Sequence, residues 1–308
     1  MRRFFSFFEN LGVQLLSLYL LIIIPSLAVL FAFDYLAGKE IQADVRANDL
    51  SLARAIALET DLAISKSMQG VNALAQHETV MAAEEEQMQA LFSTFLQTRS
   101  NVNLVYRLAK DGTMLYHYPE GPASTVGIDF SFRDYYKSAL LSAHALVSKG
   151  RISPTTNQAV ATAVMPLWEK DDFRGIVAAN IKLTSLSSTL KEIIASRRPE
   201  EDFQILILDS SAQIIAHPQS AYLLQEASSL LPDVYAPSLV GKSGVRVETD
   251  LTGKERLYTY APIPSAGWSV IVSRPTSTAF ATQITIHRIT YIAAGTFIVF
   301  GLLIWLTL

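Results

Sequence analysis

The hydrophobic positions are spread unevenly along this chain, and its two longest apolar runs lie at the ends. Residues 11–33 form a stretch of 23 residues without a charge, and residues 289–308 form another of 20. A helix of about 20 apolar residues spans the hydrocarbon core of a bilayer. The pattern therefore predicts two transmembrane helices. Buried core helices are the alternative for both runs, and a cleaved signal peptide is a second alternative for the first.

Between these runs, the apolar pattern is first helical. Residues 41–76 contain no proline and one glycine, and their apolar positions recur mostly at intervals of three, four or seven. These positions are Val45, Leu52, Ile56, Leu62, Met68 and Val71. The pattern predicts a helix about 54 Å long, within a stalk over residues 34–80. A second helix is predicted over residues 82–98, with the acidic residues 84–86 in its solvated first turn.

The pattern then changes to short apolar strands separated by turn residues. Residues 104–119 read as strand, Lys-Asp-Gly turn and strand, and residues 205–218 repeat this plan. Residues 159–183 likewise match residues 255–274 in the order strand, proline, turn, glycine, strand. The repetition predicts two tandem copies of one α+β module, each with an antiparallel sheet of about five strands. A single irregular mixed domain is the alternative.

These patterns divide the chain into segments. We call residues 81–195 the first module and residues 196–276 the second module, joined near the charged stretch 196–202. A connector helix is expected over residues 277–288, before the second membrane span.

Charge sets the expected orientation in the membrane. Arg2 and Arg3 closely precede the first span and predict a cytoplasmic N-terminus over residues 1–10. The segment between the spans would then lie outside the cytoplasmic membrane. The chain stops at "LLIWLTL" without a basic anchor, so we expect a cytoplasmic part to follow. A net charge of −3 gives no indication of nucleic-acid binding.

The sequence offers little support for an enzyme. None of its five histidines stands at metal-ligand spacing from another, and "GKS" at 241–243 lacks the earlier glycine and following helix of a phosphate loop. No catalytic residue, metal or cofactor is therefore predicted in these 308 residues. An extracytoplasmic hydrolase remains an alternative, and it would need a serine, a histidine and an aspartate brought together from distant positions.

One stretch does suggest chemistry, "DFSFRDYYKSAL" at residues 129–140. In a helix that starts near Phe132, Arg133 and Tyr136 share a face and Tyr135 flanks them. A guanidinium binds a carboxylate through two parallel hydrogen bonds, and phenol rings can wall such a site. The alternative is a surface arginine stacked on a tyrosine.

This stretch, together with "VSKGRISPTTNQAVATAVMP" and "GIVAANIKL", resembles the double-Cache extracellular sensor domain of bacterial transmembrane receptors. The resemblance covers about residues 35–285. It implies two PAS-like modules on a long stalk helix, with the ligand in the first, membrane-distal module. The second module has an apolar and acidic stretch, residues 221–235, in place of an arginine and aromatic cluster between its hairpins, so we expect it to have a structural, transmitting role. The resemblance also implies that Arg133, Tyr135 (where tryptophan is common) and Tyr136 hold a ligand carboxylate.

The sequence departs from the family members that bind amino acids. Where those have two tyrosines and an aspartate that binds the ligand ammonium, this chain has Ile128, Arg151 and Asn180. Two arginines and no carboxylate favour an anionic ligand, such as a small mono- or dicarboxylate, over a generic amino acid. Arg151 is expected either to face the site or to point to solvent.

The resemblance implies the sensory half of a membrane receptor that works as a homodimer in contact along the stalk helix. A sensor histidine kinase is the expected whole protein. A chemoreceptor and a diguanylate cyclase are the alternatives.

Overall fold

The computed structural model describes residues 11–197 and 201–307. Arg2 and Arg3, which carry the orientation argument, and residues 198–200 of the predicted join lie outside the described residues. The chain divides into two compact units. One is formed by residues up to 48 together with those from 276 onward, and the other by residues 49–275.

The first helix is longer than its sequence pattern predicted. Helix α1 (Leu11–Ala75) has 65 residues, so the first apolar run and the stalk form one helix, which contains Pro25. It ends at Ala75, before the expected limit of residue 80. A second long helix, α8 (Ala281–Thr307), closes the described chain. Both helices are long and apolar enough to cross a membrane.

The unit formed by the two ends of the chain has polar contacts between its helices. His287 Nδ1 lies 2.5 Å from Asp34 Oδ2, and the Thr290 hydroxyl donates to Asp34 Oδ1 at 3.3 Å. The amide of Gln42 donates to Gln283 Oε1 at 2.9 Å. The short helix α7 (Thr276–Ala279) leads into α8.

The first module contains one antiparallel sheet preceded by two short helices, α2 (Glu78–Ala82) and α3 (Glu85–Gln97). Its strands and the helix between them are β1 (Val102–Leu108), β2 (Met114–Tyr118), α4 (Asp134–Ala139), β3 (Leu146–Val147), β4 (Arg151–Ile152), β5 (Ala159–Glu169) and β6 (Asp172–Lys182). The strand order is β2-β1-β6-β5-β3, and β4 also pairs with β5. The predicted hairpin of residues 104–119 is therefore confirmed as β1–β2.

The second module repeats this arrangement. Helix α5 (Leu183–Ala195) leads into it, and it contains β7 (Gln204–Leu208), β8 (Ile214–Ala216), α6 (Ala236–Leu239), β9 (Gly244–Thr249), β10 (Glu255–Ile263) and β11 (Trp268–Pro275). Its strand order, β8-β7-β11-β10-β9, follows the same path as the first sheet. The predicted α+β fold with two tandem modules is thus confirmed.

Helix α1 covers one face of each sheet. Val71 and Leu74 pack with Val105 and Val177 of the first sheet, and Ile56 and Ile64 pack against the second sheet in a separate cluster. Leu62, which the sequence placed on the same apolar stripe, is 53% exposed.

Because side chains alternate along a strand, the next residues point to the opposite face. In the first sheet, that face carries Leu104 and Tyr106 and is covered by α4. In the second sheet, it carries Leu206 and Leu208 and is filled by apolar residues such as Leu231 and Val234.

Candidate ligand-binding site

Helix α4 begins one residue later than the arginine that was expected to lie on it. Arg133 is the N-cap, with an extended backbone (φ −69°, ψ 138°), and the helix runs from Asp134 to Ala139. The chain therefore turns between Arg133 and the two tyrosines. The tyrosines point in different directions from there.

Tyr136 anchors α4 to the turn between β1 and β2. Its side chain is buried, and its hydroxyl donates to the backbone carbonyls of Ala109 at 3.1 Å and Lys110 at 2.5 Å. Burial is the main reason why the pKa of Tyr136 is raised to about 12. A phenol has one hydrogen to donate, and here the backbone takes it. In this arrangement the Tyr136 hydroxyl has no free hydrogen for a carboxylate.

Tyr135 lies beside both arginines. Its ring is buried, and the guanidinium carbon of Arg151 stands 5.1 Å from the ring centroid. Burial raises the pKa of the Tyr135 hydroxyl, and the nearby Tyr106 adds to this effect, whereas the positive charges of Arg151 and Arg133 oppose it. Both guanidinium groups therefore act on the same hydroxyl.

Arg151 faces the interior of the module, which decides between its two expected orientations. Its Nη2 donates to Thr162 Oγ1 at 2.8 Å, to Asn180 Oδ1 at 3.2 Å and to the Tyr106 hydroxyl at 3.4 Å. The Thr162 hydroxyl also donates to Asn180 Oδ1, at 2.8 Å, and Asn180 Nδ2 donates to Ser153 Oγ at 3.2 Å. The structure thus brings Arg151, Tyr135 and Asn180 together in one polar cluster.

Each arginine has a buried nitrogen that makes no hydrogen bond to the described residues. The Nε atoms of Arg133 and Arg151 are buried and have no hydrogen-bond partner among the described residues. The guanidinium of Arg133 lies over the ring of Phe132, with 4.9 Å between its carbon and the ring centroid. An unmet buried donor costs about 1–3 kcal/mol, and more when it is charged. The arrangement is therefore suited to a small anionic acceptor.

Three further cluster members, Tyr106, Thr162 and Ser153, were not singled out from the sequence. Tyr106 could have been found, because it alternates with Leu104 and Leu108 on one face of β1. The other two carry no signal of their own in the sequence. Ile128, which stands where the resemblance implied a tyrosine in amino-acid-binding family members, is 48% exposed.

A third arginine, Arg107, is buried close to Tyr136 but serves the fold. Its Nε donates to the Val80 carbonyl at 2.9 Å, Nη1 donates to the Leu108 carbonyl, and Nη2 donates to the Arg174 carbonyl at 2.8 Å. Burial lowers the pKa of Arg107 to about 10, which the nearby Tyr136 opposes. Its donors are used by the backbone, so it is not a candidate ligand residue.

The second module carries no comparable cluster on the corresponding face of its sheet, as far as the chain is described. Tyr258 and Tyr260 of β10 lie there in an apolar cluster with Ile214 and Leu231. The buried Arg256 on the same strand is paired with Asp202 at 2.8 Å.

Two tandem α+β modules, with a buried polar cluster in the first, have the architecture of a bimodular extracytoplasmic sensor domain. A family model described as "Cache domain" matches residues 37–283. The chain belongs to this family of ligand-binding, non-catalytic sensor domains.

Two curated relatives and two solved structures are similar to this chain. The methyl-accepting chemotaxis protein PscA of Pseudomonas syringae pv. tomato is 23% identical over 282 residues, which cover 89% of this chain and 43% of PscA. TlpA of Bacillus subtilis, another methyl-accepting chemotaxis protein, is 24% identical over 58% of this chain and 25% of its own length. This chain thus spans less than half the length of either relative.

The solved structures share the fold. The ligand-binding domain of the Pseudomonas fluorescens chemoreceptor CtaA, in complex with L-isoleucine, has a TM-score of 0.62 and 19% identity, covering 79% of this chain and 98% of that domain. The extracellular domain of the putative histidine kinase mmHK1S-Z2 also has a TM-score of 0.62, with 14% identity. The match covers 76% of this chain and 98% of that domain.

Proposed function

We propose that this chain is the sensory and membrane-spanning part of a bacterial receptor, and that its first module binds a small carboxylate-bearing ligand. The observation that carries this proposal is the pair of buried, unused Nε donors of Arg133 and Arg151 beside Tyr135. A carboxylate supplies the acceptors that these donors lack. Charge-assisted hydrogen bonds of this kind are roughly twice as strong as neutral ones.

The surroundings of Asn180 favour a ligand without an ammonium group. The side-chain carbonyl of Asn180 has two lone pairs, and it already accepts hydrogen bonds from Arg151 and Thr162. It therefore has no acceptor left for a ligand amine, and the nearby guanidinium would repel one. This supports a mono- or dicarboxylate over an amino acid such as the L-isoleucine bound to CtaA.

For the whole receptor, the curated relatives favour a different output from the one expected from the sequence alone. The curated relatives PscA and TlpA are both methyl-accepting chemotaxis proteins, which supports a chemoreceptor. The histidine kinase has one supporting observation, the likeness to mmHK1S-Z2, and that likeness concerns the fold alone. In either case, residues 34–288 lie outside the cytoplasmic membrane, and 11–33 and 289–308 cross it.

A homodimer through α1 completes the proposal. Leu58 and Leu62 are 61% and 53% exposed on this helix. Their apolar side chains would be covered by the same helix of a second copy.

The test is a thermal-shift screen of the full chain in detergent. The panel contains acetate, pyruvate, succinate, malate and benzoate, with L-isoleucine, L-arginine and putrescine for comparison. We expect the carboxylates without an amine to stabilise the protein most. A screen in which putrescine or L-arginine gives the largest shift would contradict the proposal.

Substitutions of Arg133 then test the proposed ligand site itself. Truncating one partner of a desolvated charge pair costs about 2–5 kcal/mol, so Arg133→Ala is expected to weaken binding of the best carboxylate by about 30-fold or more. Arg133→Lys should also weaken it, because an ammonium cannot replace the planar fork of donors. The matched control is Lys137→Ala, which removes an exposed cation from the same short stretch.

A further inference from the structure

The strand that carries Arg151 is interrupted just before the arginine. β3 and β4 both pair with β5, through Val147 opposite Ala163 and Arg151 opposite Val160. Between them, Ser148 still bonds to β5: its amide donates to the Thr162 carbonyl at 2.8 Å, and its hydroxyl accepts from the Thr162 amide at 2.9 Å. The amide of Gly150 instead donates at 3.0 Å to Asp209 Oδ2, in the second module.

Asp209 is completely buried at the end of β7, and its two carboxylate oxygens have different partners. Oδ1 accepts from the amide and the hydroxyl of Ser211, at 2.8 and 2.7 Å, and from the amide of Gln213 at 3.1 Å. These bonds form the turn before β8. Oδ2 is left to accept the hydrogen bond from Gly150.

The repeat provides an internal comparison. Leu108 pairs with Met114 as Leu208 pairs with Ile214, so Ala109 stands where Asp209 does. The turn of the first module also contains Asp111, two residues further on, whose Oδ1 accepts from the Thr113 amide at 2.9 Å. Asp111 is exposed, whereas Asp209 is covered by the first module. Hydrogen bonds within its own turn therefore account for one oxygen of Asp209, and the contact between the modules accounts for the other.

Gly150 fits tightly against the second module. A Cβ at this position would lie 2.7 Å from Ile215 Cγ2 and 2.9 Å from Leu224 Cδ2. Only glycine allows the backbone to come this close without displacing its neighbours. The hydrogen bond to Asp209 is thus backed by close packing, so the position of Gly150 is set by the second module.

We infer that Asp209 is a positioning residue for the ligand site of the first module. It holds Gly150, and Gly150 is followed directly by Arg151, whose guanidinium reaches Thr162 and Asn180. The site is then complete only when the second module is docked. By thermodynamic reciprocity, a ligand that binds Arg151 also strengthens the Gly150–Asp209 contact. This inference rests on the proposed function, because it requires Arg151 to contact the ligand.

The ligand for the first measurement is the carboxylate that stabilises the wild type most among acetate, pyruvate, succinate, malate and benzoate. The affinity of the full chain for this carboxylate is then measured. In Asp209→Asn, Oδ1 still accepts the bonds of the turn, but an NH₂ group faces the Gly150 amide where Oδ2 accepted its hydrogen bond. We expect binding about 10-fold weaker, because the hydrogen bond that holds the Gly150 backbone is lost. Asp111→Asn makes the same change at an exposed aspartate in the corresponding turn of the first module; as the control, it should bind within about 2-fold of the wild type.

A double-mutant cycle separates positioning from general destabilisation. If Asp209 acts through Arg151, then Asp209→Asn should weaken carboxylate binding much less in an Arg151→Met background, since coupled sites are not additive. An equal loss in both backgrounds would overturn the inference.

Amide hydrogen exchange gives a readout that needs no ligand. The Gly150 amide should exchange faster in Asp209→Asn than in the wild type, and no faster in Asp111→Asn. If Arg133→Ala loses the carboxylate while Asp209→Asn binds like the wild type, the positioning role is overturned and the ligand site stands. If no carboxylate binds the wild type, the proposed function fails and the positioning role falls with it.

Discussion

The guanidinium of Arg151 donates a hydrogen bond to the side-chain carbonyl of Asn180 at 3.2 Å, inside the first module. The same carbonyl accepts from Thr162, and the Asn180 amide donates to Ser153. The contact therefore uses the acceptors of Asn180 and leaves Arg151 with its positive charge unbalanced by any carboxylate among these partners.

This contact predicts that Asn180→Asp changes which ligands are bound. A carboxylate beside Arg151 would neutralise the guanidinium and give a ligand ammonium a partner. We expect carboxylate affinity to fall by about 10-fold, and L-isoleucine to improve relative to succinate, in calorimetric titrations of the full chain. The control is Asn157→Asp, at an exposed position. Unchanged ligand preference in Asn180→Asp would argue against the charge arrangement described here.

Tyr136→Phe is predicted to reduce stability and to leave ligand binding nearly intact. The substitution removes the hydrogen bonds to Ala109 and Lys110 but keeps the buried ring, so the expected loss is about 1 kcal/mol in the free energy of unfolding. Denaturant titration with and without a bound carboxylate measures both effects. A loss of affinity much larger than the loss of stability would instead place Tyr136 in contact with the ligand.

The Tyr136 hydroxyl also predicts that the stability of the fold depends on pH in the alkaline range. The pKa of Tyr136 is about 12 in the folded protein and about 10 in an unfolded chain. Its contribution is therefore fully present below pH 10 and is lost as the pH rises toward 12, because the unfolded state loses the proton first. Tyr136→Phe should lose less stability than the wild type between pH 10 and 12. Equal losses in the two proteins would show that other groups dominate this range.

The membrane topology can be tested with cysteines, since the chain has none of its own. Single cysteines would replace Ser124 in the first module and Ser243 in the second. Both serines are exposed. In whole cells, both cysteines should react with a membrane-impermeant thiol reagent, because the proposed topology places each outside the cytoplasmic membrane. Labelling that appears only after lysis would reverse the proposed orientation.

Ligand stoichiometry tests the role of the second module. The face of its sheet that corresponds to the ligand site is filled by Leu206, Tyr258 and other apolar side chains. We therefore expect one carboxylate per chain in a calorimetric titration. Two equivalents of comparable affinity would require a second site in residues 196–276.

The sequence predicted the fold well because its signals are local. The hairpins follow from strand alternation and turn residues, as at Asp111 and Asp209, and the repeat follows from comparing these signals along the chain. The predicted end of the stalk helix was less accurate, since α1 ends at Ala75. The burial of single residues was also less accurate, since Leu62 is exposed although it follows the apolar interval of its neighbours.

The site was harder to predict because it depends on contacts between distant segments. Whether Arg133 and Tyr136 share a helical face depends on where α4 starts, and a shift of about one residue separated them. The inward direction of Arg151 depends on the interruption at residues 148–150, which is fixed by Asp209 some 60 positions later. Periodicity in either segment carries no information about this contact.

The filled face of the second sheet also bears on how such a receptor changes during evolution. With the ligand site as proposed, substitutions around Arg133 and Asn180 can alter the ligand without disturbing the packing that surrounds Tyr258 and Tyr260. New specificities can therefore arise in one copy of the duplicated module, while the other copy retains the surface that meets the first. Gly150 is the exception, since any larger residue there would affect the fit of both copies at once.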